Sequence, residues 1–450
     1  MHQRPGRTYI SDPAEHALAF RQEMHQVRGG VLTGLGSYVP RFVDAALEEM
    51  LGEMPAVMIN GPRGCGKTTT ARQLAETEVH LDEPRQAAAF RAAPDAALAA
   101  LTPPVLLDEW QEVPEVLAAV KRAVDSGGAP GRFVLTGSVR GRMTGHTWPA
   151  TGRITPLSMY GFTVAEMQGV LEGRHFVDRL FDRQLQVAPV LNDAPDVPEY
   201  VDLALQSGFP EAMRLSGRTR SRWFAGYVDN TVWRDASSIA EVRAPDRLLA
   251  CIRAVAACVG STPSETTLAE AAKIDVRTVR SYLDLLEDLR IVERLASWQH
   301  SRLNRLVKRP KLHLVEPALL AHLLGVDARG FILDGHLLGQ LLESFVVAQL
   351  RPLLDLGEVR IEMTHLRDRG GEHEVDIILE SPAGEVVGVE VKAAPRAEPR
   401  DAKHLSWLRD QFKTKSVRGV VLTTGVVAES LGDRLISLPI SAIWTPEALA

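Results

Sequence analysis

Short apolar runs recur along the first third of the chain: Ala56 to Ile59, Val79 to Leu81, Val105 to Leu107 and Phe133 to Leu135. Each is closed by polar or glycine-rich residues, and the intervals are long enough for a helix. Runs of this length, rich in Val, Leu and Ile, predict buried strands of a parallel sheet in an α/β domain. Arg41 to Met50 and Thr69 to Ala75 read as helices. From 166 to 245 the pattern is largely helical, punctuated by a turn from Gln206 to Glu211. Trp223 to Trp233 sets aromatic and apolar residues at helical spacing, which predicts core.

Past 245 the pattern changes. An apolar helix over Leu248–Val259, a short helix over Thr267–Lys273 and a turn at Ile274 and Asp275 lead to a helix from Val276 to Leu289, capped by Asp275. In that last helix Val279, Tyr282, Leu283, Leu286 and Leu289 share one face, while Arg277, Thr278, Arg280 and Ser281 lie away from it. A strand from Ile291 to Leu295 follows. This order predicts a winged helix-turn-helix unit, with Arg277 and Arg280 as candidate DNA contacts. Arg302, Arg305, Lys308, Arg309 and Lys311 add a basic cluster. Packing or protein interaction is the other use of such a unit. Farther on, a helix over Gly339–Leu350 precedes strands at His373–Leu379 and Val386–Val391, and a later strand lies at Val420–Thr424. The expected organisation is a polar tail (1–30), a first α/β domain (31–165), a helical region (166–245), the winged unit (246–318) and a second α/β domain (319–450).

Candidate chemistry sits where strands end. After the first strand comes Gly61-Pro62-Arg63-Gly64-Cys65-Gly66-Lys67-Thr68, then Thr69. This is G-x-x-x-x-G-K-T between a strand and a helix, the context in which backbone N–H groups and a helix N-terminus cradle phosphate. Lys67 then reaches the β- and γ-phosphates of ATP, and the Thr68 hydroxyl ligates Mg²⁺. The run Val105 to Leu107 ends in Asp108 and Glu109. Asp108 is expected to hold Mg²⁺ through water and Glu109 to polarise the attacking water. Ser138, after the Phe133 strand, suits a polar sensor of the γ-phosphate, and Arg153 is a candidate phosphate contact in cis or from a neighbouring subunit.

A second constellation lies near the C-terminus. Asp376 is followed after thirteen residues by Glu390 and then Lys392, on paired strands, with Glu343 on the preceding helix. Glu390 and Lys392 face the same side of their strand. D-(x13)-E-x-K with an upstream glutamate is the core of the PD-(D/E)xK nuclease fold. There Asp376, Glu390 and Glu343 would hold Mg²⁺ or Mn²⁺ and Lys392 would orient water. The fold is also reused as an inactive scaffold.

Bulk properties narrow the picture only a little. At 450 residues the chain has room for two to four domains. A net charge of −6 confines any DNA binding to a local basic face. Three cysteines, Cys65, Cys251 and Cys258, show neither a disulfide framework nor zinc spacing. With neither a signal peptide nor an apolar run near 18 residues, a cytoplasmic location and no membrane partner are expected.

Taken together, Tyr38 to Arg41, Gly61 to Thr69, Leu107 to Gln111, Leu135 to Ser138, Gly208 to Glu211, Arg309 to Lys311, Glu343, Glu374 to Asp376 and Glu390 to Lys392 resemble uncharacterised prokaryotic AAA-family ATPases with a C-terminal domain of unknown function. The resemblance covers about residues 38 to 446. It implies a P-loop ATPase core with a parallel sheet, a winged helix and a C-terminal α/β restriction-endonuclease-like domain, but no defined biological role. Pro156-Leu157-Ser158 followed by Met159 departs from the usual pattern. Two functions are open. One is an ATP-hydrolysing protein coupled to DNA binding or metal-dependent DNA cleavage, which the acid–acid–lysine set favours. The other is a nucleotide-gated switch or assembly protein, of defence or toxin–antitoxin type, whose C-terminal module is an inert docking site for a protein partner. Homo-oligomers would allow sites to be completed between subunits.

Overall fold

The computed structural model describes residues 38–138, 152–182, 185–236, 244–298, 308–357, 359–368, 370–411 and 417–449. The expected tail and the cluster residues Arg302 and Arg305 lie outside them.

The first unit is a parallel sheet with helices on its faces. Its elements are α1 (Phe42–Glu53), β1 (Ala56–Asn60), α2 (Lys67–Arg72), β2 (Thr77–His80), α3 (Pro84–Ala92), α4 (Pro94–Ala99), β3 (Val105–Asp108), α5 (Val116–Asp125), β4 (Phe133–Gly137) and β5 (Thr155–Ser158). The strand order is β2-β3-β4-β1-β5, and every pairing is parallel. Every residue of β1, β3 and β4 is buried. That explains their unbroken apolar runs, since a central strand covered on both faces has no solvent side to mark with polar residues.

The helical region comprises α6 (Val164–Met167), α7 (Phe176–Leu180), α8 (Val197–Gln206), α9 (Pro210–Met213) and α10 (Gly217–Asn230), which continues into a π-helical turn at Thr231–Asp235. Next come α11 (Pro245–Ala257), α12 (Glu265–Ala272), α13 (Val276–Asp288) and the antiparallel pair β6 (Val292–Leu295) and β7 (Lys311–Leu314). Val279, Leu283, Leu286 and Leu289 are buried, as the spacing predicts. Asp275 caps α13 by accepting the Arg277 N–H at 2.8 Å.

The last unit contains α14 (Pro317–Leu324), α15 (Ala328–Leu333), α16 (Gly335–Leu350), β8 (Glu362–Arg367), β9 (Glu374–Glu380), β10 (Val386–Lys392), α17 (Lys403–Gln411), β11 (Val417–Thr423), β12 (Glu429–Gly432) and β13 (Leu435–Pro439). Its six-stranded sheet runs β12-β13-β11-β10-β9-β8, with β10, β11 and β13 mutually parallel. By length and composition 335–355 is apolar enough to cross a membrane, but 67% of its apolar window is packed inside the molecule.

The units share one interior. A single apolar cluster runs from Phe42 of α1 through Leu248 of α11 and Leu342 of α16 to Leu449. Polar contacts follow the same path. Gln349 of α16 accepts the Val164 N–H at 2.7 Å, and Tyr200 of α8 accepts the Ser441 N–H at 3.0 Å.

Candidate nucleotide site and C-terminal acidic pocket

The loop between β1 and α2 brings the expected nucleotide ligands to one strand end. Gly66 has φ 100°, in the region that favours glycine, and turns the chain into α2. A Cβ on Gly61 would stand 2.3 Å from the Met159 carbonyl oxygen, so only glycine fits there. Lys67 is buried and donates to the carbonyls of Pro62 (2.9 Å) and Gly61 (3.1 Å), with Ser138 Oγ at 3.4 Å. Thr68 Oγ1 donates to Asp108 Oδ1 at 2.8 Å, which places a hydroxyl and a carboxylate side by side as hard oxygen donors. These residues fit Mg²⁺ with a nucleotide, because that pair can turn to a cation and the ammonium holds only neutral carbonyls and a hydroxyl.

Glu109, next to Asp108, sits in the left-handed region at φ 54°. Burial pushes its carboxyl above the ordinary value, against the pull of Lys67. Gln111 Nε2 donates to it in a short contact. A cleft opens beside these groups, lined by Arg63, Glu109, Ser138, Tyr227, Thr231 and Arg234.

Several residues of this site escape a sequence reading. Thr136 donates to Asp108 Oδ1, and His80 Nδ1 lies 3.3 Å from Asp108 Oδ2. Arg41 is buried, donates to the Cys65 carbonyl (3.0 Å) and pairs with Glu166 Oε1 (3.0 Å), so it ties the loop to α6. Strand order, absent from the chain's local pattern, brings His80 and Thr136 to Asp108, and Arg41 comes from the start of α1. Arg153 is a correction. It pairs with Asp125 at 2.8 Å, ahead of β5, whose first residue Thr155 aligns with Val57 at the start of β1. The loop leaves from the other end of β1, which removes Arg153 from a role in cis.

The C-terminal residues also converge. Asp376 Oδ2 accepts the Val391 N–H at 3.0 Å, and Lys392 Nζ donates to Glu390 Oε2 at 2.8 Å. Lys311, read from sequence as part of an exposed basic cluster, is instead 1% exposed. It extends from β7 into this pocket and donates to Glu343 Oε1 (2.9 Å) and Asp376 Oδ1 (3.1 Å), with Glu374 Oε1 at 3.5 Å. Burial, with Asp376 beside it, pushes the Glu343 carboxyl up to about 8, although Lys311 opposes this. Burial also raises Glu390. Against burial, Lys311 and Lys392 hold Asp376 below its ordinary value. Among the described residues, metal-type ligand atoms converging within 4.8 Å of one another belong to Asp368, Glu372 and His373 on the β8–β9 turn, and not to Glu343, Asp376 and Glu390. With the Lys311 ammonium between Glu343 and Asp376, and Lys392 on Glu390, these acids as placed do not fit a divalent ion.

On α13 the two arginines differ. Arg277 is exposed, whereas Arg280 is held by Glu265 of α12 through contacts of 2.8 and 3.0 Å. A local acid therefore neutralises one of the two expected DNA contacts.

Comparison with known proteins matches three segments of the chain. Residues 53–168 match the profile of an AAA domain, 197–330 a domain of unknown function (DUF8612) and 338–443 a domain of unknown function (DUF4143). The uncharacterised proteins Mb2031c of Mycobacterium bovis and Rv2008c of Mycobacterium tuberculosis are each 28% identical over 316 residues, which is 69% of this chain. The match spans 65% of the length of those relatives. The Walker-type ATPase PABY2304 of Pyrococcus abyssi aligns over 66% of this chain and 98% of its own, at 16% identity and a TM-score of 0.39. With its phosphate loop and paired strand-end carboxylates, the segment 53–168 is similar to AAA domains.

Proposed function

We propose that the protein binds Mg²⁺·ATP at the 61–69 loop and hydrolyses it, passing the nucleotide state to the helical and C-terminal units through their shared core. The convergence of Lys67, Thr68, Asp108, Glu109 and Ser138 at one strand end carries this reading. Bound Mg²⁺ supplies charge neutralisation at the phosphate oxygens. Lys67 exchanges its carbonyl partners for phosphate, a stronger charge-assisted contact. Thr68 and Asp108 hold the cation. Glu109, whose raised carboxyl makes it the better base, orients the lytic water. Arg234, on the cleft wall where α10 loosens into its π turn, takes the cis position that Arg153 does not. In phosphate-release assays, Lys67→Ala is expected to abolish turnover, and undiminished hydrolysis would sink the assignment.

The order α11-α12-α13-β6-β7 supports the winged-helix reading, and the helix–sheet arrangement around Asp376 supports the nuclease-like one. For the C-terminal unit we favour a non-catalytic, partner-binding role over DNA cleavage. The acid–acid–lysine set speaks for cleavage, but Lys311 fills the pocket between the acids. The test offers single-stranded, duplex and branched DNA with Mg²⁺ or Mn²⁺, with and without ATP, beside Asp376→Ala. No cutting is expected. Cutting that disappears in the variant would restore the nuclease.

A further inference from the structure

We infer that the Lys311 ammonium is the resident cation of the C-terminal acidic pocket, standing in place of a divalent metal and locking β7 to the C-terminal sheet. An ammonium has three N–H donors and no acceptor. Here it donates to Glu343 and Asp376 at 2.9 and 3.1 Å, and a third carboxylate, Glu374, stands at 3.5 Å as an ion-pair partner. Two further contacts hold oxygens of the neighbouring acids. Asp376 Oδ2 takes the Val391 N–H and Glu390 Oε2 takes Lys392. Glu390 Oε1 is buried without a hydrogen bond, so neither lysine satisfies it.

A metal and the lysine exclude each other. Mg²⁺ or Mn²⁺ draws its ligands in to roughly 2.1 Å in octahedral geometry. An ion placed among these same oxygens would also face the ammonium at close range, where partly exposed acids screen the repulsion only in part. The Lys311 side chain is 1% exposed, while Glu343, Asp376 and Glu374 keep 12%, 17% and 36% of theirs, so solvent reaches the acids but not the ammonium. It is supplied by a strand paired with β6, outside the sheet and helix that carry the acids. Seating a metal between Glu343 and Asp376 therefore requires the Lys311 side chain to leave. This deepens the non-catalytic reading of the C-terminal unit and is independent of the phosphate loop.

The test is a Mn²⁺ titration of the nucleotide-free, full-length protein followed by electron paramagnetic resonance. Wild type and Asp376→Asn are expected to bind the same number of ions per chain. Lys311→Met should gain one, lost again in Lys311→Met/Asp376→Asn. A wild-type site that vanishes in Asp376→Asn overturns the inference, as does a folded Lys311→Met that gains nothing. If Lys311→Met does not fold, Fe²⁺ with ascorbate and peroxide reads the unsubstituted protein. Backbone scission near residues 376 and 390 overturns the inference, and its absence there supports it. ATP hydrolysis on the same samples reports the phosphate loop separately, and a failed cleavage assay from a wrong DNA substrate leaves this result untouched.

Discussion

Glu109 holds a left-handed backbone angle that costs a non-glycine residue about 1–3 kcal/mol, and such strain persists where surrounding structure enforces it. Trp110, 1% exposed, anchors the chain just beyond it. The strained turn aims the Glu109 carboxyl into the cleft beside Ser138. Glu109→Gln should therefore keep Mg²⁺·ATP binding and lower turnover by about 10²- to 10⁴-fold, the usual range for losing a general base. Nucleotide titration beside steady-state phosphate release checks this, and binding lost in step with turnover would assign Glu109 to binding instead. His365 is a second residue with a measurable signature. Burial, with the Lys311 charge, lowers its pKa to about 4, from 6.5. Below 6.5 the unfolded chain takes up a proton that the folded chain refuses, so stability falls as pH drops toward 4. The slope is roughly 1.4 kcal/mol per pH unit. His365→Gln keeps a donor for the Arg309 carbonyl and removes the titration. Urea unfolding at pH 7.5 and pH 5 should show the variant losing about 2 kcal/mol less than wild type.

At the scale of elements, the contact between β1 and β5 sets what the phosphate loop tolerates. In Gly61→Ala the new methyl meets main chain, the Met159 carbonyl at 2.3 Å, which cannot rotate away. A loss of about 1–3 kcal/mol is expected, with weaker nucleotide binding. Calorimetry beside nucleotide titration checks both, and an unchanged melting temperature would show that β5 shifts freely. The same pair shows what a sequence reveals. β1, β3 and β4 are legible because burial on both faces leaves unbroken apolar runs. β5 is not, since it contains Pro156, which suits an edge strand, and only half-buries its residues. Asp376, Glu390 and Lys392 are legible because strand pairing and alternation place them together. Lys311 is not. It closes a run of basic residues that reads as a solvated face, and only the placement of β7 beside α16 and β9 turns it inward.

For the whole molecule, the continuous interior from Phe42 to Leu449 predicts joint unfolding. Scanning calorimetry should give one transition, and Mg²⁺·ATP at 100 times its Kd should move all of it, by about 2.7 kcal/mol of linkage. A second transition unmoved by nucleotide would show that the C-terminal unit melts independently and would undercut communication through the core.

The origin of Lys311 bears on how the protein can be taken apart. The acids and the Lys311 charge come from different stretches of chain, so a fragment of residues 319–450 inherits Glu343, Glu374 and Asp376 without that ammonium, while Glu390 keeps Lys392. Uncompensated carboxylates that are mostly buried, as Glu343 and Asp376 are, are expensive. Such a fragment should behave as an ion-dependent protein, with far-ultraviolet circular dichroism that develops only on adding Mn²⁺ or Ca²⁺ or on acidification. A fragment that begins before Lys311 should be indifferent to chelators. Dissection would thus create a metalloprotein out of one whose own chain supplies the cation.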